Sequence, residues 1–321
     1  MQELHRESFG RDGEIINVGE MSSTSMENCF RYAGAESGEL TMVFSFHHLK
    51  VDFVGNEKWV LVPANFGKLK EILFSWQTGM AQHNAWNAVF WCNHDQPRVV
   101  SRFGDEGEYW KESAKMLAGV IHGMRGTPYI YQGEELGMTN ANFSSIAQYR
   151  DVESLNHYQI LRDKGMSEES VLSILKVHSR DNSRTPMQWD ATEQGGFTTG
   201  EIWIAVNPNT VRINAAAQQD DPNSIFAYYQ SLIRLRKTYD VFSQGDFIPV
   251  DEKNPSILAY RRTYQGKTLL CVNNFYRKPC TWQCHEDLTG YRVLLSNYAD
   301  AAPAKSWQLR PYESVFLYRE N

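Results

Sequence analysis

The stretch WCNHDQPR, Trp91–Arg98, continues an apolar run, Ala88-Val89-Phe90-Trp91, and passes without a turn glycine into Asn93, His94, Asp95 and Gln96. Such a run reads as a buried strand, here Trp86–Asp95. Packing alone gives a core strand no reason to end on amides, an imidazole and an acid. Three neighbouring runs end in the same manner. EIINVGE (Glu14–Glu20) ends on Glu20, LTMVFSFHHL (Leu40–Leu49) carries His47 and His48, and TPYIYQ (Thr127–Gln132) runs into Gly133, Glu134 and Glu135. Helix-period segments separate them. Thr24 and Glu27 have capping-box spacing for a helix entering CFRYA. Phe66, Leu69, Ile72, Leu73 and Trp76 form one face, and Trp110, Ala114, Leu117, Val120, Ile121 and Met124 another. Strand and helix alternating in this way predict a parallel sheet with crossover helices. The C-terminal strand ends of a βα barrel are where active sites are built, so four polar ends on one side predict a site there.

Composition excludes several function classes. The chain has 321 residues, 42 % of them hydrophobic, so it can bury a large core. Its net charge of −6 comes without a basic stripe, which argues against nucleic acid and anionic membrane surfaces as partners. No apolar run is long enough to span a bilayer, and the first twenty residues carry Glu3, Arg6, Glu7, Arg11, Asp12 and Glu14. A cytoplasmic location is expected. Five cysteines form an odd set without a CxxC pair, and no histidine joins Cys280 and Cys284 at zinc spacing. Reduced thiols, no metal and no cofactor are the expectation.

From Gly137 to about Asn223 the chain is polar and irregular, with one helical stretch near Glu168–Val177. Ile225–Tyr239 has a strong helical face that closes the last crossover. Beyond Val241 the runs SILAYRRTY, KTLLCVNNF, YRVLLSNY and YESVFLYRE are short, alternating and bounded by turn residues, which predicts a small antiparallel β domain. Two domains are therefore expected, residues 1–240 and 241–321.

VGEMSS (Val18–Ser23), FWCNHDQPR (Phe90–Arg98), GTPYIYQGEELGMTN (Gly126–Asn140) and SRDNSRTPMQW (Ser179–Trp189) occur in this order. Together they closely resemble the α-amylase superfamily of glycoside hydrolases, and within it the branch of oligo-1,6-glucosidases and trehalose-6-phosphate hydrolases. The resemblance covers essentially the whole chain. It implies an α/β fold: the second half of a (β/α)8 TIM barrel, with a long excursion after strand eight, followed by a small antiparallel β-sandwich domain. It also implies retaining α-glycosidase chemistry, in which Glu20 is the acid/base, Asp95 grips the ring hydroxyls of a distorted sugar and His94 stands beside it. That division suits two carboxyl groups, because one must keep a proton to donate while the other stays anionic. Arg180 matches the arginine that closes the pocket around a terminal glucose. The family's nucleophile lies in a GLRLDVV-like strand end for which these residues hold no counterpart. The resemblance thus implies the C-terminal half to three-fifths of an enzyme, inactive alone, with Met1 an internal methionine.

Within that branch, HHLKVDFVGNEKW (His47–Trp59) resembles the hydrolases of the phosphorylated disaccharide. Lys50, with Lys58 near it, would meet a phosphate dianion as a point charge. The implied reaction is hydrolysis of α,α-trehalose 6-phosphate, a small-molecule disaccharide phosphate, to glucose and glucose 6-phosphate by a monomeric parent enzyme. Alternatives are an oligo-1,6-glucosidase or other α-glucosidase, and a non-catalytic, hydrolase-like binding or accessory protein. His47 and His48 read either as core histidines with hydrogen-bond partners or as ligand contacts. Trp91 and the set Phe226, Tyr228 and Tyr229 read as packing, and Glu134 and Glu135 as hydrogen-bonding support.

Overall fold

A computed structural model describes residues 1–11 and 15–320. In chain order it begins with α1 (Gln2–Glu7), β1 (Val18–Met21), α2 (Met26–Ala33), β2 (Met42–Ser45), α3 (Phe66–Gln82), β3 (Asn87–Val89), α4 (Val99–Phe103), α5 (Trp110–His122) and β4 (Thr127–Pro128). The four strands form one parallel sheet in the order β1-β2-β3-β4. Glu20, Phe44, Ala88 and Thr127 share one register row. Side chains of a row leave the sheet on one face. The face opposite that row carries Val43, which packs with Cys29, Ala33, Trp76, Met80 and Ala85 beneath α2 and α3. Phe44 lies on the Glu20 face, its ring 5.0 Å from Phe90 and 4.6 Å from Tyr129. Pleating therefore sends Glu20 to the side away from the helices.

The strands are shorter than the apolar runs that announced them. Glu14, the expected start of the first, lies outside the described residues. His47 and His48 sit on a 3-10 turn, His47–Lys50, rather than on β2. The run after β4 becomes a turn in which Gly133 takes φ 86, a left-handed conformation that favours glycine. Ser25, not Thr24, caps α2, its hydroxyl accepting from the Asn28 amide at 3.4 Å. Because the helix starts at Met26, Glu27 falls one position short of a capping box.

The excursion is more helical than its sequence suggests. It holds α6 (Val152–Asp163), α7 (Glu168–His178), the single turn α8 (Asp181–Arg184) and α9 (Ala215–Gln219) before α10 (Ile225–Thr238) and α11 (Val241–Gln244). Periodicity misses α6 because only Ser154 and Leu161 of it are buried, while Val152, Leu155 and Ile160 face outward. Its start is marked instead by Asp151, whose carboxylate accepts from the Ser154 amide at 3.1 Å and hydroxyl at 2.9 Å. A small separate core, including Trp59, Phe143, Tyr149, Leu161, Val171, Leu175 and Ile204, holds these helices together.

Seven antiparallel strands follow: β5 (Ile248–Val250), β6 (Ile257–Tyr264), β7 (Lys267–Asn274), β8 (Cys280–Gln283), β9 (Arg292–Ser296), β10 (Ser306–Leu309) and β11 (Ser314–Glu320). They form a five-stranded sheet, β5-β6-β7-β11-β9, and a β8-β10 pair around Trp282, Trp307, Leu270 and Val315. The expected α/β fold with a parallel sheet and a C-terminal antiparallel domain is what the chain adopts. The antiparallel strands dock on α5 through buried polar contacts. Arg262 donates to the Gly123 carbonyl at 2.7 Å, and Tyr260 to that of Val120 at 2.6 Å. A Cβ at Gly123 would lie 2.2 Å from the Tyr260 hydroxyl, so glycine is required by the close approach. Among the described residues no helix is long and apolar enough to cross a membrane.

Candidate active site

Because β1 to β4 are parallel, their C-terminal ends share one edge, and the polar residues expected there follow those ends. Glu20 is exposed at the end of β1. Lys50, on the turn after β2, donates to the Ser22 carbonyl at 2.8 Å and the Ser23 hydroxyl at 3.1 Å. Its ammonium thereby rests on the segment that immediately follows Glu20.

Asp95 lies past β3, in a turn closed by the Asn93 side chain accepting from the Asp95 amide at 2.8 Å. Its carboxylate is one-third exposed and receives the Arg184 guanidinium at 2.6 Å, with Arg180 at 3.7 Å and the His94 ring at 3.6 Å. Arg184 also donates to the His94 carbonyl at 2.9 Å and approaches Asp151 at 3.4 Å. Arg184 escaped the sequence reading, although a signal was present. It stands four residues after Arg180 in RDNSR, and that spacing across one helical turn puts two guanidiniums on one side. A charge-assisted bond this short fixes the Asp95 rotamer before any ligand arrives.

Arg180 makes a second ion pair, 2.9 Å to Glu153, and the same Glu153 oxygen takes the Lys58 ammonium at 2.7 Å. Lys58 also lies 4.5 Å over the Trp59 ring, and burial lowers its pKa, outweighing the bond to Glu153, which acts to raise it. A chain Lys58–Glu153–Arg180–Asp95 therefore crosses the site. The two lysines occupy different places in it, Lys50 beside the Glu20 loop and Lys58 beside Arg180.

His47 and His48 have internal partners. His47 shares a hydrogen bond with the Ser45 hydroxyl at 3.1 Å and packs on Trp76, and buried His48 bonds the Phe90 carbonyl at 2.9 Å. Burial pushes His48 down to about 4, so it is neutral near pH 7. Trp91 is core, its indole donating to the Leu117 carbonyl at 2.7 Å.

Behind the site, buried Glu134 accepts from the Tyr229 hydroxyl at 2.9 Å and the Cys92 thiol at 3.2 Å, tying the start of CNHD to α10. Tyr229 is thus a hydrogen-bond donor as well as packing. The nearby Arg98 guanidinium is committed to the carbonyls of Gln132, Asn182 and Ser183. With only neutral donors in contact, burial pushes Glu134 up to about 7. The folded state then holds this proton more tightly than the unfolded chain, so unfolding releases it and stability falls as pH rises from about 4.5 to 7. Glu134→Gln is expected to remove that slope and raise stability above pH 7 by on the order of 3 kcal/mol. Urea melts at pH 5 and pH 8 check this; an unchanged difference between the two pH values in the variant would refute it.

Among the described residues no cluster of three or more His, Cys, Asp or Glu side chains is arranged to hold a metal ion. The five cysteines are free thiols, with Cys280 the least buried.

Comparison with known proteins covers nearly the whole chain. The alpha amylase catalytic domain matches residues 1–245, and the maltogenic amylase C-terminal domain residues 247–315. Trehalose-6-phosphate hydrolase of Bacillus subtilis (strain 168) is 53% identical over 310 residues, 95% of this chain and 55% of the relative. Oligo-1,6-glucosidase of Halalkalibacterium halodurans is 47% identical over 322 residues, 99% of this chain and 57% of the relative. The crystal structure of Bacillus licheniformis trehalose-6-phosphate hydrolase superposes with a TM-score of 0.96 at 50% identity, covering 100% of this chain and 58% of that one. The chain thus spans little more than half the length of the curated relatives it matches. Its matched catalytic domain, its parallel strands with crossover helices and its C-terminal antiparallel sheets place it in one family: the chain belongs to the α-amylase family of glycoside hydrolases, its four-stranded parallel sheet corresponding to part of that family's TIM barrel.

Proposed function

We propose that this chain carries the acid/base side of a retaining α-glycosidase site that hydrolyses α,α-trehalose 6-phosphate to glucose and glucose 6-phosphate. The observation that carries the reading is the position of Lys50, whose ammonium rests on Ser22 and Ser23 directly beyond Glu20. A phosphate on the departing glucose would lie on the side of the bond that Glu20 protonates, within reach of that charge. The 53% and 50% identities to trehalose-6-phosphate hydrolases of Bacillus subtilis and Escherichia coli, above the 47% to oligo-1,6-glucosidase, support the same choice.

In this reading Glu20 gives its proton to the glycosidic oxygen as the C1–O bond breaks, and later takes one from water. Asp95, His94 and Arg180 hold the hydroxyls of the non-reducing glucose, and Lys50 pairs with the 6-phosphate. Lys58, already paired with Glu153, acts as an outer contact that steadies Arg180. The nucleophilic carboxylate is assigned to no residue of this chain. Carboxyl-group chemistry of this kind calls for no cofactor. We place the site in residues 1–240, with 241–321 as a separate supporting β domain, in a monomeric cytoplasmic enzyme.

The test is a hybrid joining residues 1–321 to the part of the Bacillus subtilis hydrolase that this chain does not cover. Its kcat/KM for trehalose 6-phosphate is expected to exceed that for isomaltose by at least about tenfold, the worth of one charge-assisted contact. Preference for isomaltose would make it an oligo-1,6-glucosidase. A hybrid that folds like the Bacillus enzyme yet cleaves neither sugar would favour the accessory-protein reading.

A further inference from the structure

The turn that carries Lys50 is held by one guanidinium. Arg102, on α4, donates through Nε to Asp52 Oδ2 at 2.8 Å and through Nη2 to Asp52 Oδ1 at 2.6 Å, a two-pronged pair whose side chains are 3% and 5% exposed. Nη2 also donates to the Leu49 carbonyl. Leu49 and Asp52 stand on either side of Lys50, so this guanidinium fixes the backbone from which the Lys50 ammonium extends to Ser22 and Ser23.

The remaining arm of the fork points the other way. Nη1 donates to Gln96 Oε1 at 2.9 Å, and Gln96 directly follows Asp95. The Gln96 carbonyl in turn accepts from the hydroxyl of Ser183, the neighbour of Arg184. One planar group therefore bridges the turn of Lys50 and the turn of Asp95. A lysine in its place would be a point charge on a flexible stem, without the rigid fork that these bonds need. Net stability does not account for the pair, since a buried ion pair contributes little beyond what well-packed apolar side chains of similar volume would. What the fork adds is direction, because charge-assisted bonds at fixed angles hold one turn at a set distance from the other.

We propose that Arg102, oriented by Asp52, is a positioning residue that sets the spacing between Lys50 and Asp95, and through it the selectivity for a disaccharide bearing a phosphate at one end and an unsubstituted glucose at the other. The inference rests on the proposed phosphate role of Lys50. Misplacing a positioned group by about 1 Å can cost up to about a hundredfold in rate, so a loosened spacing has a measurable effect.

The test measures kcat/KM for trehalose 6-phosphate relative to 4-nitrophenyl α-glucoside in the hybrid enzyme, which contains all 321 residues. Arg102→Lys is expected to lower that ratio at least about fivefold, mainly through KM for the phosphorylated sugar. Asp52→Asn should shift it in the same direction by a smaller factor. In a Lys50→Ala background, Arg102→Lys should leave the ratio within about twofold, because the contact it positions is gone. Thermal melts followed by circular dichroism verify that each variant is folded. Where Arg102→Lys does not fold, Gln96→Met takes its place; it keeps the ion pair, cuts the link to the Asp95 turn and is expected to lower the ratio about threefold. An unchanged ratio in the folded variant, meaning equal losses on both substrates, or an undiminished drop in the Lys50→Ala background, overturns the proposal. If Lys50→Ala itself leaves the ratio unchanged, the phosphate reading falls and the positioning role falls with it. If Lys50→Ala abolishes the preference while Arg102→Lys keeps it, the phosphate reading stands and only the positioning role is removed.

Discussion

Glu20→Gln in the hybrid enzyme is expected to lower kcat for trehalose 6-phosphate by roughly 10² to 10⁴, the usual worth of a positioned general acid. The expectation rests on placement. Glu20 is the penultimate residue of β1, is exposed at the edge where the parallel strands finish, and points to the Phe44 face away from the helices. A sugar alkoxide is a poor leaving group, so bond cleavage depends on the proton that Glu20 supplies and that an amide cannot. A 4-nitrophenyl α-glucoside, whose leaving group departs as an anion, should lose much less in the first, bond-breaking step. Comparing burst-phase rates for the two substrates is therefore the measurement. Near-normal turnover of the disaccharide by the variant would remove Glu20 from the role, and equal losses on both substrates would point to a structural effect.

Lys50→Ala carries the second large effect. The expected loss in kcat/KM for trehalose 6-phosphate is about ten- to hundredfold, corresponding to the roughly 1.5–3 kcal/mol of a charge-assisted hydrogen bond. The unphosphorylated aryl α-glucoside should be almost untouched. Lys50 already bonds Ser22 and Ser23, so a phosphate would join that cluster, and Lys50→Arg should recover part of the loss. Raising salt should erode the unaltered enzyme's preference for the phosphorylated sugar, because part of the attraction is screened. Lys58→Ala should cost less and affect both substrates alike, since Lys58 acts through Glu153 on Arg180. Equal losses on both substrates for Lys50→Ala would mean that Lys50 braces the loops after β1 and β2, leaving a general α-glucosidase.

Much of the fold was legible because its determinants are local. The apolar faces of α3 and α5 and the alternation of β6, β7 and β11 are repeats that neighbouring residues impose on one another. The misses have local causes as well. α6 presents almost no apolar stripe, because it covers a satellite core with only two buried residues of its own. β8 and β10 are four residues each, too short for alternation to stand out.

Which residue types gather at the strand ends, among them Glu20, His94, Asp95 and Lys50, was written in the sequence, because each directly follows a run that must be buried. How they are joined was decided only in three dimensions. Asp95 meets Arg184 across 89 positions of chain, Lys58 meets Glu153 across 95, and Cys92 meets Glu134 across 42. Propensity and periodicity act over a few residues, whereas these pairs depend on the path of the whole excursion back over the sheet. A charge in a sequence carries no record of which distant partner will neutralise it; the close approach of loops, set by the burial of Trp59, Tyr149 and Ile204 beneath them, makes that choice.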